Sequence, residues 1–331
     1  MAERRTEPAS GEPASGIIWV YHFREDGTAI SVPSETVSHA LGAAGGWTWV
    51  HIGLADTRAR AWIAQHAPIS DMAREVLAGP DEHMRLDRVG DEIVGILPDL
   101  HLKFERPTED IVRLRFVMME RILITARRRP AHTLELIRRS IETGRQFSEP
   151  VSFLDALVDQ FADAIGRLTE TMGDQLDQIE DRLLKDELGE ERLQLGRLRL
   201  QSVRMHRQLA QLYALFNRIE PRVAAQNKPA VRALIQKFDA IDRDVAAQHD
   251  RARLLLDEVA GKTAEITNRR LLTLSILTAC LLPPTLVTGF FGMNTKDLPF
   301  QNVDGGTWYA MLVATAAAAL AYWLLTRLRA L

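Results

Sequence analysis

The stretch LLTLSILTACLLPPTLVTGFFGMN, residues 271–294, decides how this chain is organised. Residues 271–291 carry no charged side chain, and as an α-helix they would extend about 30 Å, the thickness of a hydrocarbon core. A second uncharged run, WYAMLVATAAAALAYWLLT, occupies residues 308–326 and ends at Arg327. One such run is compatible with a buried core helix, but two in tandem predict a hairpin of two transmembrane helices.

The charges that flank the two runs predict the orientation of the hairpin. Arg269 and Arg270 precede the first run, and Arg327 and Arg329 follow the second. By the positive-inside rule both outer ends, and with them the N- and C-termini, lie in the cytoplasm. We therefore expect a multi-pass protein of the plasma (inner) membrane. Its expected parts are an extracytoplasmic loop at 292–306, a second span at 307–327 and a cytoplasmic C-terminus at 328–331.

The composition excludes several other classes of protein. The chain has 331 residues, with 41 basic and 44 acidic side chains and a formal net charge of -3, so there is no electrostatic basis for nucleic-acid binding. Cys280 is the single cysteine, and the fold therefore does not depend on an internal disulfide. Residues 1–16 contain a tandem EPASG and no apolar segment, which predicts a disordered cytoplasmic tail and no secretory signal.

Between the tail and the hairpin, residues 17–145 predict a cytoplasmic α/β domain. Residues 56–66 and 70–79 have helical spacing, with Ser70 as an N-cap and Gly79 as a stop. Runs rich in β-branched and aromatic residues predict strands at 17–23, 47–54, 92–100, 111–119 and 121–127.

Long helices fill the rest of the cytoplasmic part. Residues 146–228 predict two long antiparallel helices, the first capped by Ser152 and the second ended by Pro221. A third helix begins near Pro229 and meets no break before the membrane. Residues 229–291 therefore predict one continuous helix on the order of 90 Å long, a stalk that continues into the first span. The expected fold class is an α+β cytoplasmic domain, then long helices and a C-terminal two-helix transmembrane hairpin.

Two spans are too few to enclose a pathway within one chain. Either the hairpin is only an anchor, or several copies assemble around an axis. Single Ser and Thr side chains in membrane helices often just bond back to the preceding turn, so both interpretations stay open for each of them. Their alignment, and Pro283-Pro284 within the run, favour a pore lining. At about 100° per residue, the face concerned carries Asn268, Leu271, Ser275, Thr278, Leu282, Thr285 and Gly289.

Gly292-Met293-Asn294 ends the first run. Gly292 is expected in the left-handed conformation that closes many helices. The side chain of Asn294 offers a neutral carbonyl oxygen, and several copies would form a ring. Such a ring can hydrogen-bond the waters of a hydrated dication without trapping the ion. The alternative is a plain helix cap and turn, which any hairpin needs.

These features together resemble the CorA-type (GMN-motif, two-transmembrane) divalent metal-ion transporter superfamily. The resemblance covers the chain from about residue 17 and implies a funnel-shaped homopentamer in which the stalk helix continues into the pore. It also implies that Asn294 is the selectivity residue at the outer mouth, in contact with the hydrated metal, with Gly292 and Met293 shaping its loop. The pore lining that it implies comprises Asn268, Leu271, Thr278, Leu282, Thr285 and Gly289.

Within this superfamily, the loop is more similar to the ZntB zinc-transporter branch. Magnesium transporters typically continue after the motif with an aromatic residue and Met-Pro-Glu, whereas this chain continues with TKDLPF at 295–300. The segments Trp-Val-His-Ile at 49–52 and GTWYA at 306–310 are also similar to the zinc branch. The resemblance thus implies transport of Zn²⁺, which that branch often couples to protons, with Mg²⁺ as the alternative cargo. Lys296 argues against simple electrostatic attraction of cations to the mouth.

The sequence argues against an enzyme and against a resident cofactor. It contains no Gly-rich phosphate loop, nucleophile elbow or His-Glu-x-x-His motif, and no compact array of zinc ligands. His206 and His249 are expected in solvated or interfacial positions. The remaining alternative is a membrane-anchored coiled-coil scaffold or sensor. Replacing Asn294 separates the two, because only a transporter would lose ion flux. The expected partners are further copies of the chain, the lipid bilayer, divalent cations and protons.

Overall fold

Seven strands form one mixed sheet among the residues that the structure describes. The computed structural model describes residues 16–103, 106–185, 189–222, 228–293, 299 and 305–329; except for Gly16, the predicted tail lies outside them. The strands are β1 (Ile17–Phe23), β2 (Ala29–Val32), β3 (Trp47–Gly53), β4 (Arg85–Val89), β5 (Glu92–Lys103), β6 (Arg106–Met118) and β7 (Ile122–Arg127). Their order is β2-β1-β3-β7-β6-β5-β4, with β3 and β7 parallel and all other neighbours antiparallel.

The five predicted strands are confirmed as β1, β3, β5, β6 and β7. The prediction missed the edge strands β2 and β4, because each has at most five residues and β4 reads RLDRV, without an apolar run. It also missed the helices α1 (Val37–Leu41) and α4 (His132–Glu142). The N-cap of α4 is Ala131, which makes no side-chain hydrogen bond, so the usual signal for a helix start is lacking.

The two helices predicted within the sheet domain are confirmed as α2 (Thr57–Gln65) and α3 (Asp71–Ala78). Ser70 caps α3 as expected, since its hydroxyl oxygen accepts a hydrogen bond from the Ala73 N–H at 3.2 Å. Gly79 ends the helix, and its N–H donates to the carbonyl oxygen of Glu75 at 2.8 Å. Local capping chemistry therefore sets both ends of α3.

The sheet separates two hydrophobic cores, because successive side chains of a strand point to opposite faces. On one face, Val50 and Ile52 of β3 pack with residues of α1, α2 and α3. On the other face, Trp47 and Trp49 of the same strand pack with residues of α4 and of the long helices that follow it. Helices thus cover both faces of the sheet.

The long helices predicted after the sheet are present. The prediction of Ser152 as the N-cap of the first of them is wrong, because Glu149 is the N-cap and Pro150 begins the helix. The Ser152 hydroxyl instead donates to the Glu149 carbonyl oxygen at 2.7 Å. Proline is favoured there because its fixed φ suits the first turn. The helices are α5 (Pro150–Leu184), α6 (Glu191–Ile219), α7 (Lys228–Phe291) and α8 (Gly306–Arg329).

The chain divides into two units, Met1–Leu254 and Leu255–Leu331, and the boundary falls within the continuous helix α7. In the first unit, Phe238 and Val245 of α7 are fully buried in the core that includes α5 and α6. Lys237 Nζ also lies 2.6 Å from Asp163 Oδ1 of α5. The first part of α7 therefore has apolar and ionic partners, as a helix of this length requires in water.

Gly46 precedes β3 and cannot readily be replaced. Its φ is +68°, and a Cβ at this position would collide with the carbonyl oxygen of Phe23. Gly90 also has a positive φ, 61°, but its Cβ would meet nothing within 4 Å. Both alanine variants carry a conformational cost of about 1–2 kcal/mol, and only Gly46→Ala must also displace β1. We expect a clearly larger fall in apparent Tm for Gly46→Ala than for Gly90→Ala, measured on the full-length protein in detergent; equal shifts would contradict this account.

Candidate functional site

The candidate site is built on the apolar part of α7 and on α8. Each of these helices contains a segment long and apolar enough to cross a membrane, and in α8 the segment is Gly306–Leu324. None of the most apolar window of α7 is buried, and only 6% of that of α8 is. The core helix of a soluble protein would be mostly buried. An exposed apolar surface of this extent needs lipid or other chains around it.

The predicted pore residues share one exposed face of α7. The half-buried residues of the same segment point in a mean direction about 150° away from them, at 100° per residue; these residues are Ile276, Ala279, Cys280, Pro283, Pro284, Val287 and Phe291. The stripe that was predicted from the sequence comprises Asn268, Leu271, Ser275, Thr278, Leu282, Thr285 and Gly289, and every one of these residues is exposed. No residue of this apolar segment is fully buried, and its half-buried residues point on average away from the stripe, although exposed side chains such as Thr273 occur on that side as well.

The threonines of this stripe bond back to the helix. The hydroxyl of Thr278 donates to the carbonyl oxygen of Leu274 at 2.8 Å, and that of Thr285 to the carbonyl oxygen of Leu281 at 2.7 Å. This is the local role that the sequence left open beside pore lining. It does not remove the second role, because a hydroxyl oxygen that donates its hydrogen still has two acceptor lone pairs. Both threonines can still accept hydrogen bonds from water.

The Gly292-Met293-Asn294 segment is described as far as Met293, and Asn294 and Lys296 lie outside the described residues. The left-handed conformation expected for Gly292 is wrong, since its φ is not positive. Instead its N–H donates to the carbonyl oxygen of Thr288 at 2.9 Å, which continues the helical hydrogen-bond pattern. A Cβ at Gly292 would lie 3.1 Å from that oxygen. A side chain at position 292 would therefore fit only with a small shift of the neighbouring backbone.

No group of three or more His, Cys, Asp or Glu in the described ranges is placed to hold a metal ion. His206 Nδ1 lies 2.7 Å from Asp242 Oδ1, and His249 Nδ1 lies 2.9 Å from the hydroxyl of Ser202. His206 is exposed and His249 is half-buried, and both bond between α6 and α7, in agreement with the solvated or interfacial positions expected from the sequence. The polar atoms offered by the exposed α7 stripe are amide and hydroxyl groups, which suit a hydrated ion better than a bare one.

Asp99 of β5 is a buried charged residue that the sequence analysis did not single out. It is 1% exposed, and its Oδ1 accepts hydrogen bonds from the Leu100 N–H at 2.6 Å, the Thr133 N–H at 2.9 Å and the Thr133 hydroxyl at 2.6 Å. Its Oδ2 accepts from the Leu134 N–H at 3.1 Å. The carboxyl group thus caps α4 from a different element. The sequence signal for such a residue is a lone carboxylate inside an apolar strand, because the cost of burying a charge demands hydrogen-bond partners of this kind.

Burial raises the pKa of Asp99 to about 6, although the hydrogen bonds from Thr133 and Leu134 oppose this rise. A cavity of about 10 Å³ lies beside the carboxyl group and is closed by residues of α5 and α6, enough for about one water molecule. The carboxyl group therefore joins β5 to α4 beside a small cavity that residues of the long helices also line.

The Trp-Val-His-Ile segment at 49–52 belongs to the core of the sheet. The Trp49 Nε1–H donates to the hydroxyl oxygen of Thr125 at 2.8 Å, and the same oxygen lies 2.8 Å from His51 Nδ1. Burial, reinforced by the nearby Arg127, holds the pKa of His51 well below its usual value. His51 is therefore neutral at physiological pH, and the segment contributes packing and hydrogen bonds to the fold.

Comparison with known proteins places these features in one family. The model of the family described as "CorA-like Mg2+ transporter protein" matches residues 44–327. Similar proteins include the zinc transport protein ZntB of Yersinia enterocolitica, which is 24% identical over 318 residues, 90% of this chain and 97% of that protein. The zinc transport protein ZntB of Pectobacterium carotovorum is 23% identical over 281 residues, 83% of this chain and 86% of that protein.

Solved structures share the fold. The full-length CmaX protein has a TM-score of 0.78 at 24% identity and covers 97% of this chain and 99% of its own. The CorA magnesium transporter from Methanocaldococcus jannaschii has a TM-score of 0.71 at 15% identity; the match covers 93% of this chain and 97% of the transporter chain. The family match extends from β3 to α8, and it includes both membrane helices. The chain therefore belongs to the CorA-like Mg²⁺ transporter family, whose members are divalent-metal transporters and not enzymes.

Proposed function

We propose that several copies of this chain transport a divalent cation, preferentially Zn²⁺, through a central pore lined by the exposed stripe of α7. The observation that carries this proposal is that the stripe of α7, which includes hydroxyl, amide and glycine positions, is exposed throughout, whereas the half-buried residues of the same segment point on average to the opposite side. Polar positions gain nothing from contact with lipid tails. Around a wet axis, they can hydrogen-bond the waters of a passing ion. A passive anchor, as in a scaffold or sensor, would need no such stripe.

Assembly follows from the number of helices. One chain contributes only α7 and α8, and two helices cannot enclose a pathway, so the pore requires further copies. We propose a homopentamer in the inner membrane with both termini in the cytoplasm. The positive-inside rule supports this orientation, because Arg269, Arg270 and Arg327 flank the apolar segments and all three are exposed.

We propose that the outer mouth is formed where α7 ends. Its last carbonyl groups and the negative end of its dipole then point at an approaching cation. Asn294 follows directly in the sequence and would add a ring of side-chain carbonyl oxygens, with Gly292 and Met293 shaping the approach. The positive charge of Lys296 would weaken long-range attraction, so the ion would be selected by hydrogen bonds to its hydration waters.

The choice of metal rests on the relatives. Proteins named as zinc transporters match 90% of this chain in one case and 83% in another, which supports Zn²⁺. The description of the family and the fold of the magnesium transporter from Methanocaldococcus jannaschii favour Mg²⁺ as the alternative. We further propose that an inward proton gradient drives zinc uptake.

Flux through the purified protein in proteoliposomes tests these proposals. We expect Zn²⁺ uptake that rises when the outside is acidified, and slower Mg²⁺ uptake, each measured against protein-free liposomes with an internal fluorescent indicator. Mg²⁺ flux that is faster than Zn²⁺ flux and indifferent to pH would assign the chain to magnesium transport. Absence of flux for both ions, in protein shown to be folded and oligomeric, would overturn transport and favour the scaffold.

A further inference from the structure

A cavity of about 320 Å³ in the first unit has an unusually basic lining. Its walls are formed by β6, by the segment that follows β7, and by the segment between α3 and β4. Antiparallel pairing of β6 with β7 places Leu114 opposite Arg127, and this register brings the arginines on both segments to the same end of the sheet. The lining residues of this arginine cavity are Glu82, Ile111, Val112, Arg113, Arg115, Arg128 and Arg129.

Arg115 anchors the floor of the cavity. Its side chain is among the largest fully buried ones of the described chain. One guanidinium nitrogen donates to the carbonyl oxygens of Val76 at 2.9 Å and Gly79 at 2.8 Å, at the end of α3. Burial lowers the pKa of Arg115, and the neighbouring Arg128 lowers it further. The carboxylates of Glu82 and Asp81 act on this pKa in the opposite direction.

Arg113 and Arg128 of the cavity each make some of their hydrogen bonds to other groups of the protein. Arg128 donates to Glu82 Oε1 at 3.2 Å and to the carbonyl oxygen of Gly79 at 2.9 Å. Arg113 donates to the carbonyl oxygen of Glu82 at 3.0 Å and to Gln208 Oε1 at 2.8 Å. These bonds fix the position of both guanidinium groups. They still use only part of the five N–H donors that each group carries.

Arg129 is different, because it is exposed and makes no hydrogen bond or ion pair with the rest of the described chain. Glu82 supplies the single carboxylate among the lining residues, against four guanidinium groups. Like charges so close together repel one another, and an unpaired excess of this kind is stabilised by an anion.

We propose that the arginine cavity binds a small phosphorylated molecule through its phosphate groups. A guanidinium group matches phosphate with two parallel N–H···O bonds, which makes arginine a preferred phosphate ligand. The volume of about 320 Å³ lies in the range of small-molecule sites, and the walls at Ile111 and Val112 suit the remainder of the ligand. Glu82 competes with the ligand for Arg128.

Isothermal titration of the full-length protein in detergent, with EDTA present to remove metal effects, tests this site. The probes are ATP and orthophosphate. We expect saturable ATP binding that Arg129→Gln weakens about tenfold, as for the loss of one charge-assisted contact. Arg129→Gln removes no hydrogen bond of the described chain, so the fold should persist, and apparent Tm checks this. Glu82→Gln should tighten binding, because it removes the competing carboxylate.

The matched control is Arg192→Gln, which removes one exposed arginine of α6 outside the cavity and should leave the affinity unchanged. Tighter binding of ATP than of orthophosphate supports a phosphorylated molecule as the ligand. If orthophosphate binds as tightly as ATP, the ligand is the free phosphate ion and not a phosphorylated molecule. No saturation at millimolar ATP, or the same loss in Arg129→Gln and Arg192→Gln, would overturn the site. None of these results depends on metal flux, so the proposed transport is tested separately.

Discussion

Phenylalanine in place of Thr278 is expected to reduce Zn²⁺ flux to the level of protein-free liposomes, whereas phenylalanine in place of Thr273 is expected to leave it near the wild-type rate. Both threonines are exposed on α7. Their hydroxyls bond back in the same way, Thr278 to the Leu274 carbonyl oxygen at 2.8 Å and Thr273 to the Arg269 carbonyl oxygen at 3.0 Å. The two substitutions are therefore chemically matched.

The two positions differ in direction. They are five residues apart and so lie about 140° from each other around the helix, with Thr278 on the proposed pore face. Around a shared axis, several phenylalanine rings at one level would form an apolar constriction that excludes water and ions. Thr273 points toward the side of the half-buried residues but is itself exposed, so a ring at this position has space and does not narrow the proposed pore.

The measurement is initial Zn²⁺ uptake in proteoliposomes at equal protein content, with the oligomeric state of each variant checked by size-exclusion chromatography. Equal loss in both variants would show that the effect does not depend on the face of α7. Unchanged flux in both would place the stripe against lipid and contradict its role as a pore lining.

The second large effect is expected at Asp99, where the stability of the wild-type protein relative to Asp99→Asn should fall as pH rises from about 4 to 7. The pKa of Asp99 is raised from 3.8 to about 6 in the folded protein. Between these values the folded state keeps a proton that the unfolded state has released, so the free energy of unfolding decreases with rising pH. Asparagine does not titrate and lacks this dependence.

The size of this effect is set by the difference between the two pKa values. At about 1.4 kcal/mol per pH unit, the rise from 3.8 to about 6 corresponds to a few kcal/mol, or several degrees in apparent Tm. The measurement is the apparent Tm of both full-length proteins across this pH range. Asp91→Asn, at an exposed carboxylate, is the control for general effects of charge. A wild-type advantage that grows with pH would mean that the hydrogen bonds to the carboxylate outweigh the cost of burying its charge.

Local sequence patterns predict the presence of a helix more accurately than the residue at which it begins or ends. Ser152 fits the composition of an N-cap, yet Pro150 begins the helix one turn earlier. Gly292 fits a left-handed cap, but it continues the helical hydrogen bonds instead. Near a helix end several neighbouring residues can serve as the cap, and small differences in packing select one of them.

The sequence by itself determined the two apolar membrane segments, the long helices, the five inner strands and the stripe on α7. Each of these is a periodic pattern within one continuous segment, which the residues of that segment specify on their own. The tertiary structure alone decided which side of α7 stays uncovered, how Asp99 caps α4, and how residues as distant as Glu82 and Arg129 line one cavity. These features join residues far apart in the chain, and their partners are fixed only when the sheet and its helices pack together.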